Sequence, residues 1–279
     1  MSKRWTLDDI DWGAFAPDRV DPDLVPVIKT AALVEANSAD YVHYLRNVFD
    51  GDDAFLAAAD QWGEEEAQHG AALGRWAELV DPGFSFEAAL DAFRRGYSLP
   101  LDAETSVRGS RAGELIARCV VESGTSSFYS AIRDATDEPV LTEIAKRIAT
   151  DEFFHYQLFH KHFKRYRDQA RLSRLAKLRI AVGRVQEAED DELAYAYYAA
   201  NVLPRDAHAA YDQGALAKDY WRRAMGVYDR PHLENAARMI LRAADMPPDG
   251  RLANWAVSGF WAYVKWRRDR LARSMAKAA

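Results

Sequence analysis

Four long stretches of helical apolar periodicity each carry a glutamate where an apolar side chain belongs, and in two of them a histidine follows three residues later. Three-and-four steps from 53 to 80 give Phe55, Ala59, Trp62, Glu66, His69, Leu73, Trp76 and Val80. The stretch 139–167 gives Ile144, Ile148, Glu152, His155, then Leu158 or Phe159, and His162. The stretch 111–135 gives Leu115, Cys119, Glu122, Ser126 and Tyr129, and the first stretch gives Ile28, Ala31, Glu35, Ala39, Val42 and Phe49. Stripes of this period face a core. Residues three apart share a helix face, so Glu66 with His69, and Glu152 with His155, each offer a carboxylate and an imidazole to one point.

A carboxylate buried without compensation neutralises or pairs. No Lys or Arg stands beside these glutamates in the stripes, so two divalent metals are the natural source of positive charge. Oxygen and imidazole donors without thiolate suit iron or manganese better than structural zinc, and the zinc-protease pattern His-Glu-x-x-His does not occur. A single Glu-x-x-His pair reads as a solvated acidic face. Two pairs plus Glu35 and Glu122, in this helix order, form the inward-facing set of di-iron carboxylate bundles. Glu64 and Glu65 lie off the stripe and read as surface charges. His43, His160, His208 and His232 default to packing or surface roles, His162 is too far from His155 to share a metal, and Cys119 reads as a small buried hydrophobe.

No alternating strand pattern stands out, and the chain reads as all-α. An irregular arm, 1–21, carries Trp5, Trp12 and Phe15. Helices are expected from Asp21 or Asp23 to Phe49, from Asp53 to Val80, from Phe86 to Tyr97, from Arg111 to Ala135 and from Pro139 to Arg167, with an irregular stretch around Pro100 to Ser110. Further helices are expected near 171–199, 207–227, 231–245 and 250–275. Residues 22–168 would form a four-helix bundle and 169–279 additional helices packed on it in the same domain. Hydrophobic residues make up 49% of the 279, enough for a sizeable core. A net charge of −6 argues against a nucleic-acid binder relying on overall positive charge. A single cysteine excludes an intrachain disulfide framework or a rubredoxin-type domain, and fits a reducing cytoplasm. The N-terminus shows no secretory signal. The longest nearly uncharged apolar run, Leu252 to Val264, is too short to span a bilayer and suits a buried helix.

The segment Trp62-x-x-Glu-Glu-x-x-His-Gly70 resembles the corresponding helix of the soluble acyl-carrier-protein desaturases, members of the ferritin-like superfamily. Ile148-Ala149-Thr150-Asp151-Glu152-x-x-His155 resembles that family's second motif, and Glu122-Ser123-Gly124-Thr125 its Glu-x-x-Thr. Glu35 followed by Tyr41 resembles the first-helix ligand more loosely. The resemblance covers about residues 22–167 and departs from the family between the ligands, at Ala67-Gln68 and Phe153-Phe154. It implies a ferritin-like four-helix bundle with additional C-terminal helices, whose metal ligands are Glu35, Glu66, His69, Glu122, Glu152 and His155. Two iron ions (or manganese with iron), bridged by Glu66 and Glu152 or by Glu35 and Glu122, would take dioxygen as co-substrate. Thr125 would stand beside the oxygen-binding face as a donor or proton relay. Asp151 and Trp62 are the candidates for holding the imidazoles. Trp62, Phe153, Phe154, Tyr129 and Phe159 would line a dry substrate channel or serve as ordinary core.

The resemblance further implies an oxygen-activating oxidoreductase, desaturase- or hydroxylase-like, acting on an acyl or other organic substrate, free or carrier-bound. Electrons would come from an external donor such as a ferredoxin, and a homodimer is compatible with it. The basic run over 161–184 could dock an acidic carrier or the phosphates of a coenzyme A thioester. Its plainer reading is a solvated basic face over Leu172, Leu175, Leu178 and Val182. The alternatives are a ferritin-like iron-binding or peroxide-handling protein without organic substrate, and a helical interaction module with structural polar stripes.

Overall fold

The structure is a computed structural model that describes residues 4–99, 101–187 and 191–275; among these, all regular structure is helical. The α-helices in order are α1 (Leu24–Ala36), α2 (Ser38–Val48), α3 (Asp53–Val80), α4 (Phe86–Gly96), α5 (Arg111–Ala135), α6 (Pro139–Ala170), α7 (Arg174–Gln186), α8 (Asp191–Asn201), α9 (Gln213–Ala224), α10 (Arg230–Ala243) and α11 (Arg251–Met275). Before α1 the arm forms three short 3-10 turns, Leu7–Asp9, Trp12–Ala14 and Pro17–Arg19. Trp5 and Ile10 of this arm are buried. Among the described residues, no helix is long and apolar enough to cross a membrane.

The chain divides into two compact units, each assembled from separated segments: Met1–Glu104, Ala135–Arg147 and Glu189–Arg223 in the first, and Thr105–Asp134, Ile148–Ala188 and Ala224–Ala279 in the second.

In the first unit α3 packs against α1 and α2, while α8 packs against α1 and α4. The α1–α3 contact is set by small residues. A Cβ on Gly70 would sit 2.6 Å from the Ala36 amide nitrogen and 2.8 Å from the Ala32 carbonyl oxygen, so a side chain there would hold the two backbones apart. Glu138 anchors the start of α6. Its buried carboxylate accepts from the Trp76 indole at 2.8 Å and the Ala16 amide at 3.0 Å, and caps α6 through the amides of Val140 and Leu141.

In the second unit Ser126 on α5 donates to the Ala149 carbonyl of α6 at 3.1 Å, and Ser127 to the His232 carbonyl of α10 at 2.9 Å. Tyr156 of α6 donates to the Met239 carbonyl of α10 at 3.1 Å, and α10 packs along α11.

Several boundaries differ from expectation. The first helix, expected to run unbroken to Phe49, breaks at Asn37. There the Ala36 carbonyl accepts from Arg94 at 2.9 Å instead of from the Asp40 amide, which turns to the Asn37 carbonyl at 3.2 Å. The helix expected over 171–199 is two helices, α7 and α8; residues 188–190 between them lie outside the described residues, as does Pro100. Arg171, at φ 46, turns left-handed to end α6, and the Ser173 hydroxyl caps α7 by accepting from the Ala176 amide. The helix expected over 207–227 starts only at Gln213, where Asp212 accepts from the Ala215 amide at 3.0 Å.

Two faces also turn out otherwise. Leu175 and Val182, expected beneath the basic face of α7, are exposed, whereas Lys177 is buried and bonds Asp245. The run Leu252 to Val264 was expected to form a buried helix; over 253–264 only one side of α11 is buried, at Ala253, Val257 and Val264.

Candidate metal centre

Gly70 determines how the first cluster assembles. Because α1 lies against α3 at this residue, Glu35 reaches the level of His69, immediately before Gly70, and of Glu66, one turn earlier on α3. The His69 Nδ1 stands 3.4 Å from a Glu66 oxygen and 3.7 Å from a Glu35 oxygen. Each of the three residues offers one ligand atom, and these atoms lie within 4.8 Å of one another. All three are buried.

The second unit carries a cluster of the same composition. Glu122 comes from α5, Glu152 and His155 from α6, and all are buried. The His155 Nδ1 stands 3.6 Å from a Glu122 oxygen and 3.9 Å from a Glu152 oxygen, and these three residues too offer ligand atoms within 4.8 Å of one another. Two carboxylates and one imidazole gathered in a buried volume fit a divalent cation, with hard oxygen and borderline nitrogen donors of the kind iron and manganese take.

Compared with known proteins, the chain matches no family model and no curated sequence.

Thr125, one turn after Glu122, donates its hydroxyl to Glu152 at 2.6 Å. The carbonyls of Val121 and Glu122 lie farther from the hydroxyl, at 3.2 and 3.3 Å. A hydroxyl has one proton, and the shortest contact, to the Glu152 carboxyl oxygen, is where it goes. Thr125 thus sets the orientation of one carboxylate. Asp151 and Trp62, expected to hold the imidazoles, are both buried.

The sequence reading missed the group that lies over His69. Trp5 stacks on the imidazole with ring centroids 6.0 Å apart and planes 9° apart, and Arg147 lies over the Trp5 ring at 5.7 Å. Next to it Arg4 bonds Glu65 at 2.9 Å. Glu65 is therefore not a surface charge: it is 3% exposed and also accepts from Gln61 at 2.9 Å, whereas Glu64 is exposed as expected. No helical period links an arm residue to a helix 60 positions later, so only the aromatic residues clustered in the arm hinted at this packing.

The other flagged residues separate cleanly. Tyr129 and Phe159 are fully buried core, while Phe153 and Phe154 are each 42% exposed and do not line a dry channel. Cys119 is wholly buried, and burial pushes its thiol well above the usual range, as an inert hydrophobe requires. His162 is buried beside Arg165, at 2.7 Å. His160 stacks between Tyr156 and Phe163, and its burial lowers its proton affinity. His232 caps α10 and pairs with Asp134 at 3.0 Å. Tyr41 donates to the buried Glu192 of α8.

Proposed function

We propose, from the desaturase resemblance, that Glu35, Glu66, His69, Glu122, Glu152 and His155 are metal ligands of the di-iron type, and that the protein is an oxygen-activating oxidoreductase. The observation that carries this reading is the duplicated buried Glu/Glu/His cluster, with His Nδ1 to carboxylate distances of 3.4 and 3.7 Å in one unit and 3.6 and 3.9 Å in the other. Four carboxylates and two imidazoles, one Glu-x-x-His on each of two helices, are the donor set that such bundles use for iron or for manganese with iron. A bound metal pair supplies the electron-transfer chemistry with dioxygen that side chains lack.

The protein's own groups have the remaining tasks. Thr125 holds Glu152 by a 2.6 Å hydrogen bond and is placed to pass a proton to or from it. Trp5 covers one face of the His69 imidazole and keeps water off it. Asp151 and Trp62, buried near the histidines in sequence, orient the imidazoles. An acyl or lipid-like substrate, free or on a carrier, and an external electron donor such as a ferredoxin belong to the same proposal through the desaturase resemblance; a cytoplasmic location belongs to it through the single cysteine, and a homodimer is compatible with it.

The deciding experiment is anaerobic loading with Fe(II), elemental analysis and Mössbauer spectroscopy. About two irons per chain, spin-coupled after exposure to oxygen and lost together in either His69→Ala or His155→Ala, is the expected result. Two uncoupled irons lost one at a time would mean two separate mononuclear sites. Iron accumulating far beyond two per chain would favour the storage alternative.

A further inference from the structure

Helix α11 has apolar residues on both sides. Ala253, Val257 and Val264 are buried on one. On the other, Trp255 is 79% exposed, Tyr263 51% and Trp266 51%. At about 100° per residue, Trp255, Gly259, Ala262 and Trp266 fall in one stripe, with Tyr263 on its flank, and the two indoles stand about 17 Å apart along the axis. A row of large exposed rings on a surface helix marks an interaction site rather than incidental apolar exposure.

Charge indicates the occupant. The helix carries Arg251, Lys265, Arg267, Arg268, Arg270 and Arg273 against Asp269 alone, in a chain whose net charge is −6. Arg251 and Lys265 lie to one side of the aromatic stripe and Arg270 to the other, all exposed, with the Arg270 guanidinium 5.4 Å from the Trp266 ring centre.

We propose that α11 docks flat on an anionic phospholipid surface. Indole and phenol rings favour the headgroup region, where the ring is shielded and the N–H or O–H stays hydrated. Lysine and arginine beside the rings reach the lipid phosphates. A second copy of the same helix is a poorer partner, because pairing two such stripes would bring their cations together. The helix does not span the bilayer, since no described helix is apolar enough to do so. The inference rests on α11 alone and is independent of the metal reading.

The test is co-sedimentation of the full chain with vesicles of phosphatidylcholine alone and of phosphatidylcholine mixed with phosphatidylglycerol. Binding is expected only to the anionic vesicles and should weaken as salt rises. The pair Trp255→Ser and Trp266→Ser, at exposed positions that leave far-UV circular dichroism unchanged, should cut binding by about tenfold or more. Lys265→Glu with Arg270→Glu should cut it comparably. Failure of the folded chain to bind anionic vesicles, or undiminished binding by both variants, overturns the proposal. A chain that binds no vesicles but self-associates, and becomes monomeric in the tryptophan variant, would overturn it in favour of a second copy. Capture by an acidic protein but not by lipid would overturn it in favour of a protein partner.

Discussion

Single atoms decide the geometry of each cluster. The hydrogen at the Cα of Gly70 lets α1 and α3 touch, and Gly70→Ala would put a methyl carbon 2.6 Å from backbone nitrogen and 2.8 Å from backbone oxygen. Neither neighbour is a flexible side chain, so the helices must move apart. The expected cost is about 1–3 kcal/mol in urea unfolding, accompanied by weaker metal binding as Glu35 shifts from His69. Thr125→Val separates orientation from folding. Thr125 is only half-buried, so stability should change little, while loss of the 2.6 Å bond to Glu152 should weaken metal affinity about tenfold in a competition titration. Unchanged affinity would remove Thr125 from the site. Asp134 gives a pH prediction. The Arg133 guanidinium, and then the His232 imidazole, hold its carboxyl down to about 2 from 3.8. A depressed acid stabilises the fold above its unfolded value and loses that contribution as pH falls, here between about 3.8 and 2. Because its side chain is 47% exposed, the effect is small, about 0.5 kcal/mol. Asp134→Asn should flatten that part of the acid unfolding curve and leave neutral pH nearly unaffected.

At the scale of elements, most helix starts are set by neighbouring side chains, and those caps are tied into the fold by contacts from elsewhere in the chain. Glu138 gathers an indole, a distant amide and two cap amides of α6. Glu138→Ala leaves the Trp76 indole and the first turn of α6 without their acceptor, at an expected cost of about 2–3 kcal/mol in thermal unfolding. A loss well below 1 kcal/mol would mean that water replaces the carboxylate. Helices α3 and α5 were legible to the residue and α6 at its start, because those signals are local: Asp52 and Asp81-Pro82-Gly83 bracket α3, and Pro139 opens α6, which runs three residues beyond the expected Arg167. The break at Asn37 was not legible, because the side chain that satisfies the Ala36 carbonyl there, Arg94, lies 58 positions beyond Ala36. The exposed side of α11 was hidden for a similar reason. An apolar run shows that a helix has a core face, and says nothing of how much of its circumference the core covers.

For the whole molecule, the measurable consequence of the metal reading is linkage. A cation that binds the folded chain and not the unfolded one stabilises it by about 2.7 kcal/mol at a hundred times its Kd. The melting temperature should therefore climb with Fe(II) or Mn(II), fall again with a chelator, and stop responding when His69 and His155 are both alanine. A melting temperature indifferent to metal in the intact chain would leave the two clusters as structural polar networks. The all-helical class and the six candidate ligands were determined by sequence alone. The reason is that helical periodicity is a local property, and four buried glutamates in apolar stripes are too costly to be accidental. Tertiary structure decided how each triad closes around its histidine, that Trp5 covers one imidazole, that Thr125 spends its proton on Glu152, and that Phe153 and Phe154 face outward. Those outcomes depend on which backbones can approach which others, and that is settled by packing between residues far apart in the chain.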